Sequence, residues 1–342
     1  MHTMMHTIIK DPKLNGWEYG MLRSFERAIQ DETAAVIEEI PEYFLGNKYI
    51  HHFGQGMTRG KYRKYFPRQP WAPQGDTAWY ILMGPENYRL DLYKDWDRNL
   101  KTKILYLYDT FPSQYSLIKR LCSKGTWDIL ITSFNDAVDD LQKITGRQWH
   151  CIEQAADKHL FTSAAYDKKI IHFSSYGRRY SVLHEVVKEF CEKKGLYYDY
   201  TTHDGLHPVV DSSELYKQYA WHLKHSLFTF SWPVELTNPV RSGHLRPITC
   251  RWFEAMAAGT IILGKKPEND IFKNWLNEDL VTELDPTADK KSLLYTLDQI
   301  WESREKLYEK AQIISKKEPG ISWNERVRKI ISIIESSRKN KD

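Results

Sequence analysis

The chain has 342 residues, 49 Lys+Arg against 45 Asp+Glu for a net charge of +4, and is 41% hydrophobic and 27% charged. That is the profile of an ordinary globular protein, and a mini-protein held by staples is excluded. At this length about 75% of the unfolded surface is buried, and cores beyond about 250–300 residues split, so two domains are expected. The charge is too small to argue for nucleic acid by itself. No stretch approaches the ~20 apolar residues of a membrane span, and the opening MHTMMHTIIK lacks a signal-peptide core, so a cytoplasmic protein is expected. Cys122, Cys151, Cys191 and Cys250 have no C-x-x-C spacing and read as reduced packing residues. The 12 Trp, 21 Tyr and 13 Phe are read mainly as core.

A weak N-terminal strand leads into the loop Lys13–Gly20 (KLNGWEYG). Gly16 lets this loop approach a ligand, and Asn15 and Glu18 are candidate acceptor contacts; the alternative is a turn around a packed Trp17. A helix over Met21–Gln30 and a strand at Ala34–Ile37 follow, then the basic, aromatic stretch TRGKYRKYFPRQPW. There Arg63 and Lys64 are candidates for an anionic acceptor such as DNA, or form a solvated loop or a lipid contact. Strands are next predicted at Trp79–Met83, Lys103–Tyr108 and Asp128–Thr132, with helices over Tyr115–Leu121 and Ala137–Ile144. After a strand-like WHCIEQ, the polar stretch Phe161–Lys168 marks a domain boundary.

The second half repeats the alternation. Strands are predicted at Lys169–Phe173, Tyr197–Tyr200, Ser226–Phe230 and Thr260–Leu263, and helices over Val182–Lys194, Ser213–Leu223 and Arg251–Ala257. The last amphipathic stretch, Trp323–Ser337, is expected to pack back across the boundary. The reading is thus an α/β chain with an N-terminal domain over 1–166, a C-terminal domain over 167–322 and residues 323–342 returning to the first. Two Rossmann-like domains with parallel sheets would face a central cleft, with ligands at the carboxyl ends of the strands.

Three segments could carry chemistry. In Ile248–Pro267 a short helix ends at Gly259, and its Glu254, beside Phe253 and Trp252, needs hydrogen-bond donors if buried, which a ribose diol could supply. The plainer alternative is a first-turn carboxylate favoured by the helix dipole, with Arg251 its solvated partner. In Ile170–Glu185 a strand runs into a loop with Gly177, Arg178 and Arg179 and then a helix, a place to hold a diphosphate on backbone N–H groups and guanidinium forks. In Lys103–Tyr115 (KILYLYDTFPSQY), Asp109 stands where a strand gives way to a loop, as a general base across the cleft would, or as a simple cap. Asn238, Arg241 and His244, in the loop before the Glu254 helix, are candidate sugar or phosphate contacts. Asp95-Trp-Asp97, His51-His52 and His203-Asp204 lack further ligands, so no metal is expected.

The string R-x-F-E-A-M-A-A-G at Arg251–Gly259, followed by an apolar strand, resembles the nucleotide-binding helix of GT-B glycosyltransferases. The resemblance implies the GT-B fold, a nucleoside diphosphate sugar as co-substrate with no other cofactor, and Glu254 on the ribose. The Asp109 stretch is similar to that of phage DNA β-glucosyltransferases, an inverting GT-B group. This implies Asp109 as catalytic base, with Arg178, Arg179, Arg251 and Glu254 as diphosphate and nucleotide contacts. Many retaining GT-B enzymes carry a second Glu eight residues before the ribose-binding one; here that position is Arg246.

The expected function is therefore transfer of a sugar from a nucleoside diphosphate to an acceptor hydroxyl. A bacterial surface polysaccharide or glycoconjugate is the expected acceptor, and the pI near 8.6 suits peripheral membrane association. A hydroxymethylated base in phage DNA is the alternative acceptor. A GT-B-fold epimerase and a non-catalytic nucleotide-sugar-binding protein are the readings from other classes.

Overall fold

The structure is a computed structural model and describes residues 5–11, 19–41, 68–123, 127–177, 179–201, 212–275, 280–317 and 321–339. Among these, two parallel sheets carry the fold. The first is built from β1 (His6–Lys10), β2 (Val36–Glu39), β3 (Thr77–Leu82), β4 (Thr102–Leu107), β5 (Ile129–Thr132) and β6 (His150–Cys151), in the order β2-β1-β3-β4-β5-β6. β3 is buried at every position and pairs with β4 in the register Thr77↔Thr102 to Leu82↔Leu107. Such continuous apolar runs are what a parallel strand covered on both faces requires.

Helix α1 (Gly20–Thr33) connects β1 to β2. It stops at Ala34, whose left-handed φ of 54° lets its N–H donate to the Gln30 carbonyl. The strand expected at Ala34–Ile37 therefore starts later, at Val36, because Ala34 closes the helix. Helices α2 (Tyr115–Cys122) and α3 (Val138–Thr145) follow β4 and β5.

The second sheet contains β7 (Ile171–Ser175), β8 (Tyr198–Tyr200), β9 (Ser226–Ser231), β10 (Ile261–Gly264) and β11 (Val281–Glu283), in the order β8-β7-β9-β10-β11. Its helices are α4 (Ser181–Lys194), α5 (Ser212–His225), α6 (Cys250–Ala257), α7 (Lys290–Glu302) and α8 (Arg304–Lys317). The rings of Phe173 and Phe228 stack at 4.9 Å on neighbouring strands. A Cβ at Gly264 would run into the Ser231 carbonyl, so glycine is what lets β9 and β10 close at that end.

The chain crosses between the sheets twice, at one place. Ala156 N–H donates to the Ile321 carbonyl at 2.7 Å and Trp323 N–H donates to the Ala156 carbonyl at 3.2 Å. Beyond this crossing, α9 (Trp323–Lys339) lies on α1. Val327, Ile330 and Ile334 are buried there with Leu22, Phe25 and Ile29, and Trp323 stacks on Phe25 at 4.5 Å. Glu32 of α1 fixes the pairing by accepting from Arg328 at 2.8 and 2.9 Å and from Asn324 at 3.1 Å. The last helix thus completes the core of the first sheet, not the second. Among the described residues no helix is long and apolar enough to cross a membrane, and no group of three metal-ligating side chains occurs. The four cysteines are free thiols.

Candidate functional site

The loops that leave the carboxyl ends of the two sheets meet. Asp109, two residues past β4, forms an ion pair with Arg241, past β9, at 2.6 Å. Its backbone N–H donates to the Met83 carbonyl beyond β3, which fixes where the carboxylate emerges. The turn that follows, Pro112–Gln114, has Phe111 as its N-cap, so capping that turn is not the task of Asp109. Arg241 lies with its guanidinium over the Phe111 ring at 4.3 Å, held on its face by an aromatic and on its edge by a carboxylate.

Further contacts bind the same two rims. His244 Nε2 pairs with Asp140 at 2.8 Å, and the Tyr115 hydroxyl donates to the same carboxylate. Arg246 N–H donates to Asp136 at 3.0 Å, and the buried Asn269 donates to Asp136 and to the Arg246 carbonyl. Burial pushes the Asp136 carboxyl above its usual range. Gln154 Oε1 accepts from the Cys250 N–H at 2.6 Å, so a side chain from the first half caps α6 of the second.

The second sheet supplies the cations. Gly177, two residues past β7, has a φ of +82°, and a Cβ there would meet the Arg251 guanidinium, so this loop and the first turn of α6 pack against each other through a glycine. Arg179 lies over the Tyr200 ring at 5.1 Å, and its Nη1 is shielded from solvent with no hydrogen-bond partner among the described residues. Helix α4 begins two residues later without a side-chain cap, leaving its first N–H groups for an anion. Burial pushes the thiol of Cys250, the residue before Arg251, well up.

Glu254 is 2% exposed. Its oxygens accept from the hydroxyls of Tyr216 and Tyr219 on α5, the second at 3.2 Å, and burial raises its pKa above the usual carboxylate value. Where the sequence reading has a ribose diol donating to this carboxylate, the structure has two tyrosines. Asn238 likewise spends its side-chain oxygen on the N–H of Arg241, capping the turn Pro239–Ser242. Asn15, Gly16, Glu18, Arg63, Lys64 and Arg178 lie outside the described residues.

Sequence reasoning passed over Glu235, Asp136 and Gln154. Glu235 follows β9 in the turn Val234–Thr237, its Oε2 is buried without a hydrogen-bond partner among the described residues, and burial raises its pKa. The signal that marks Asp109, a carboxylate just past an apolar strand, applies equally to Glu235. Gln154 and Asp136 carry no comparable signal, because their partners are distant in sequence.

No family model matches the chain, and no curated protein matches it. Solved structures do. The catalytic domain of starch synthase IV from Arabidopsis thaliana, bound to ADP and acarbose, superposes with a TM-score of 0.55 at 8% identity, covering 98% of this chain and 99% of that one. S. aureus MnaA with UDP (TM-score 0.48, 10% identity, 97% and 96% covered) and Acinetobacter baumannii MurG (TM-score 0.46, 9% identity, 96% and 99% covered) are also similar. Two parallel Rossmann-like sheets and the full-length superposition on the starch synthase show that the chain has the GT-B fold.

Proposed function

We propose that the protein is a GT-B glycosyltransferase that inverts the anomeric carbon of a nucleoside diphosphate sugar, with Asp109 as general base. The observation that carries this reading is the meeting of Asp109 with Arg241, a carboxylate from one sheet against a cation from the other. In this reading Gly177, Arg179, Arg251 and the open N-terminus of α4 hold the diphosphate. Asp109 takes the proton of the acceptor hydroxyl as its oxygen attacks the anomeric carbon, and the guanidinium groups stabilise the charge growing on the departing diphosphate. Glu254 fixes α6 against α5 and so holds Arg251 at the cleft. That the starch synthase sharing the fold binds ADP and acarbose supports a nucleotide and a glycan as ligands. A surface polysaccharide or glycoconjugate is the acceptor proposed.

The test is thermal unfolding against UDP-, GDP-, ADP-, CMP- and dTDP-sugars, since a ligand that binds only the folded state raises the melting temperature by mass action. One donor class is expected to raise it, and that donor then serves in trials with glycan acceptors, where nucleoside diphosphate release should depend on acceptor. No shift with any donor sinks the proposal. Turnover of donor to a free altered sugar without acceptor would replace it with the epimerase reading.

A further inference from the structure

We infer that residues 233–247 are a strap that anchors the second half of the molecule in the core of the first, so that the two halves form one body and do not wait for a ligand to close on each other. The inference stands apart from the glycosyltransferase reading, because it concerns how the halves are joined, whatever they bind.

The strap leaves β9 and returns to α6, both elements of the second half, yet its apolar residues are buried in the first. Trp232 still packs in the second core, stacked on Phe230 at 6.4 Å. Past Pro233 the allegiance changes: Val234 is 1% exposed and Leu245 fully buried, both in the cluster of the first sheet that holds Leu107, Phe111, Phe134 and Leu141. Past Pro247 it changes back, with Ile248 in the cluster of α5 and α6. A proline with its fixed φ stands at each crossing, so the chain is stiff where it changes cores. Between the anchors the strap is folded on itself. The Asn238 N–H donates to the Val234 carbonyl at 2.7 Å, the Ser242 N–H to the Asn238 carbonyl at 3.0 Å and the Leu245 N–H to the Ser242 carbonyl at 3.1 Å. The buried Ser242 hydroxyl donates to the Leu245 carbonyl. The turn Pro239–Ser242 packs on the turn Pro112–Gln114, and a Cβ at Gly243, with its φ of +61°, would lie 3.1 Å from the Pro112 ring.

Two kinds of contact therefore join the strap to the first half, and their magnitudes decide which one holds it. The ion pairs of Arg241 with Asp109 and of His244 with Asp140 are partly exposed, and such pairs contribute little and are screened by salt. Val234 and Leu245 are out of water altogether, and swinging the halves apart would expose both and leave cavities in the first core. The crossing at Ala156 and Trp323 alone would permit such a swing; the anchors add a buried contact that the swing must break. A ligand entering between the rims then meets a preformed site and spends none of its affinity on closure.

Small-angle scattering on the full chain tests this. The wild-type radius of gyration is expected to match that of the closed structure, to be the same in about 0.1 M and about 1 M sodium chloride, where the ion pairs are screened, and to be unchanged by UDP, GDP, ADP, CDP or dTDP added in turn. Leu245→Ala, and more so Leu245→Ala with Val234→Ala, is expected to enlarge the particle while circular dichroism shows the helices intact. Hydrogen exchange supplies a second readout: the wild-type strap peptide should be protected, and Leu245→Ala should speed its exchange about tenfold or more, as the loss of a buried leucine implies.

A wild-type chain that is larger than the structure, that shrinks with any of the five nucleotides or that expands in high salt overturns the strap. So do folded anchor variants that stay compact with unaltered strap exchange, and, if those variants fail to fold, a wild-type strap that exchanges as fast as unprotected backbone. A chain that binds none of the nucleotides overturns the glycosyltransferase reading and not the strap, which the free chain tests by itself.

Discussion

Asp109 and Arg241 are 132 residues apart in sequence and 2.6 Å apart in space, and their ion pair joins the rims of two sheets. It sets a carboxylate just past a strand of the first sheet against a cation carried by the second.

If Asp109 is the general base, Asp109→Asn should cut acceptor-dependent release of nucleoside diphosphate by roughly 10²- to 10⁴-fold, the usual worth of a positioned base. Initial rates at saturating donor measure this. A loss below threefold would assign Asp109 a structural role.

Gly177 has a left-handed φ of +82°, and its missing Cβ leaves room for the Arg251 guanidinium. Gly177→Ala should cost about 1–2 kcal/mol in urea unfolding from backbone strain alone. It should also displace Arg251 and weaken nucleoside diphosphate binding about tenfold, a second effect that calorimetry resolves separately. Unaltered affinity would remove this loop from the phosphate site.

Removing the Glu254 side chain orphans the Tyr216 and Tyr219 hydroxyls, so Glu254→Ala should destabilise by about 2–4 kcal/mol. Glu254→Gln tests the charge. The folded carboxyl titrates above its ordinary 4.5 because burial penalises the ionised form. Between 4.5 and that raised value the native chain keeps a proton the unfolded chain has lost, so this residue's contribution falls as pH rises through the window. Stability of Glu254→Gln relative to wild type should therefore increase with pH from 4.5 upward. A pH-independent difference would mean that Glu254 carries no such penalty.

Lys169, two residues before β7, is buried against the Ala258 carbonyl at 3.2 Å, and desolvation lowers its pKa from 10.5 to about 7. Between pH 7 and 10.5 the unfolded chain holds a proton the folded chain lacks, so stability gains with rising pH across that window; below pH 7 the cost of burying the charge is fully present. Lys169→Met should be more stable than wild type at pH 6, and that advantage should shrink by pH 9.5. Parallel urea midpoints at the two pH values would contradict the lowered pKa.

The strand–helix alternation was legible because periodicity and β-branched or apolar runs act over about ten residues. Lys103–Tyr108 and Trp79–Met83 became β4 and β3 within two residues, and the helix expected over Val182–Lys194 became α4, which starts at Ser181 and ends at Lys194. The edge strand Val281–Glu283 was not legible, since only three residues pair and one of them is exposed.

By itself, then, the sequence determined the two parallel sheets, the emergence of Asp109 at a strand end and the glycine loop at 177, all set by local backbone preference and by the side on which apolar residues recur. The tertiary structure alone decided that Asp109 would meet Arg241, that Glu254 would be satisfied by tyrosines of α5, and that Gln154 would cap α6. These partners come from segments far apart in the chain, and which polar groups pair there depends on how two cores pack and how their rims meet, a distance over which periodicity and propensity carry no information.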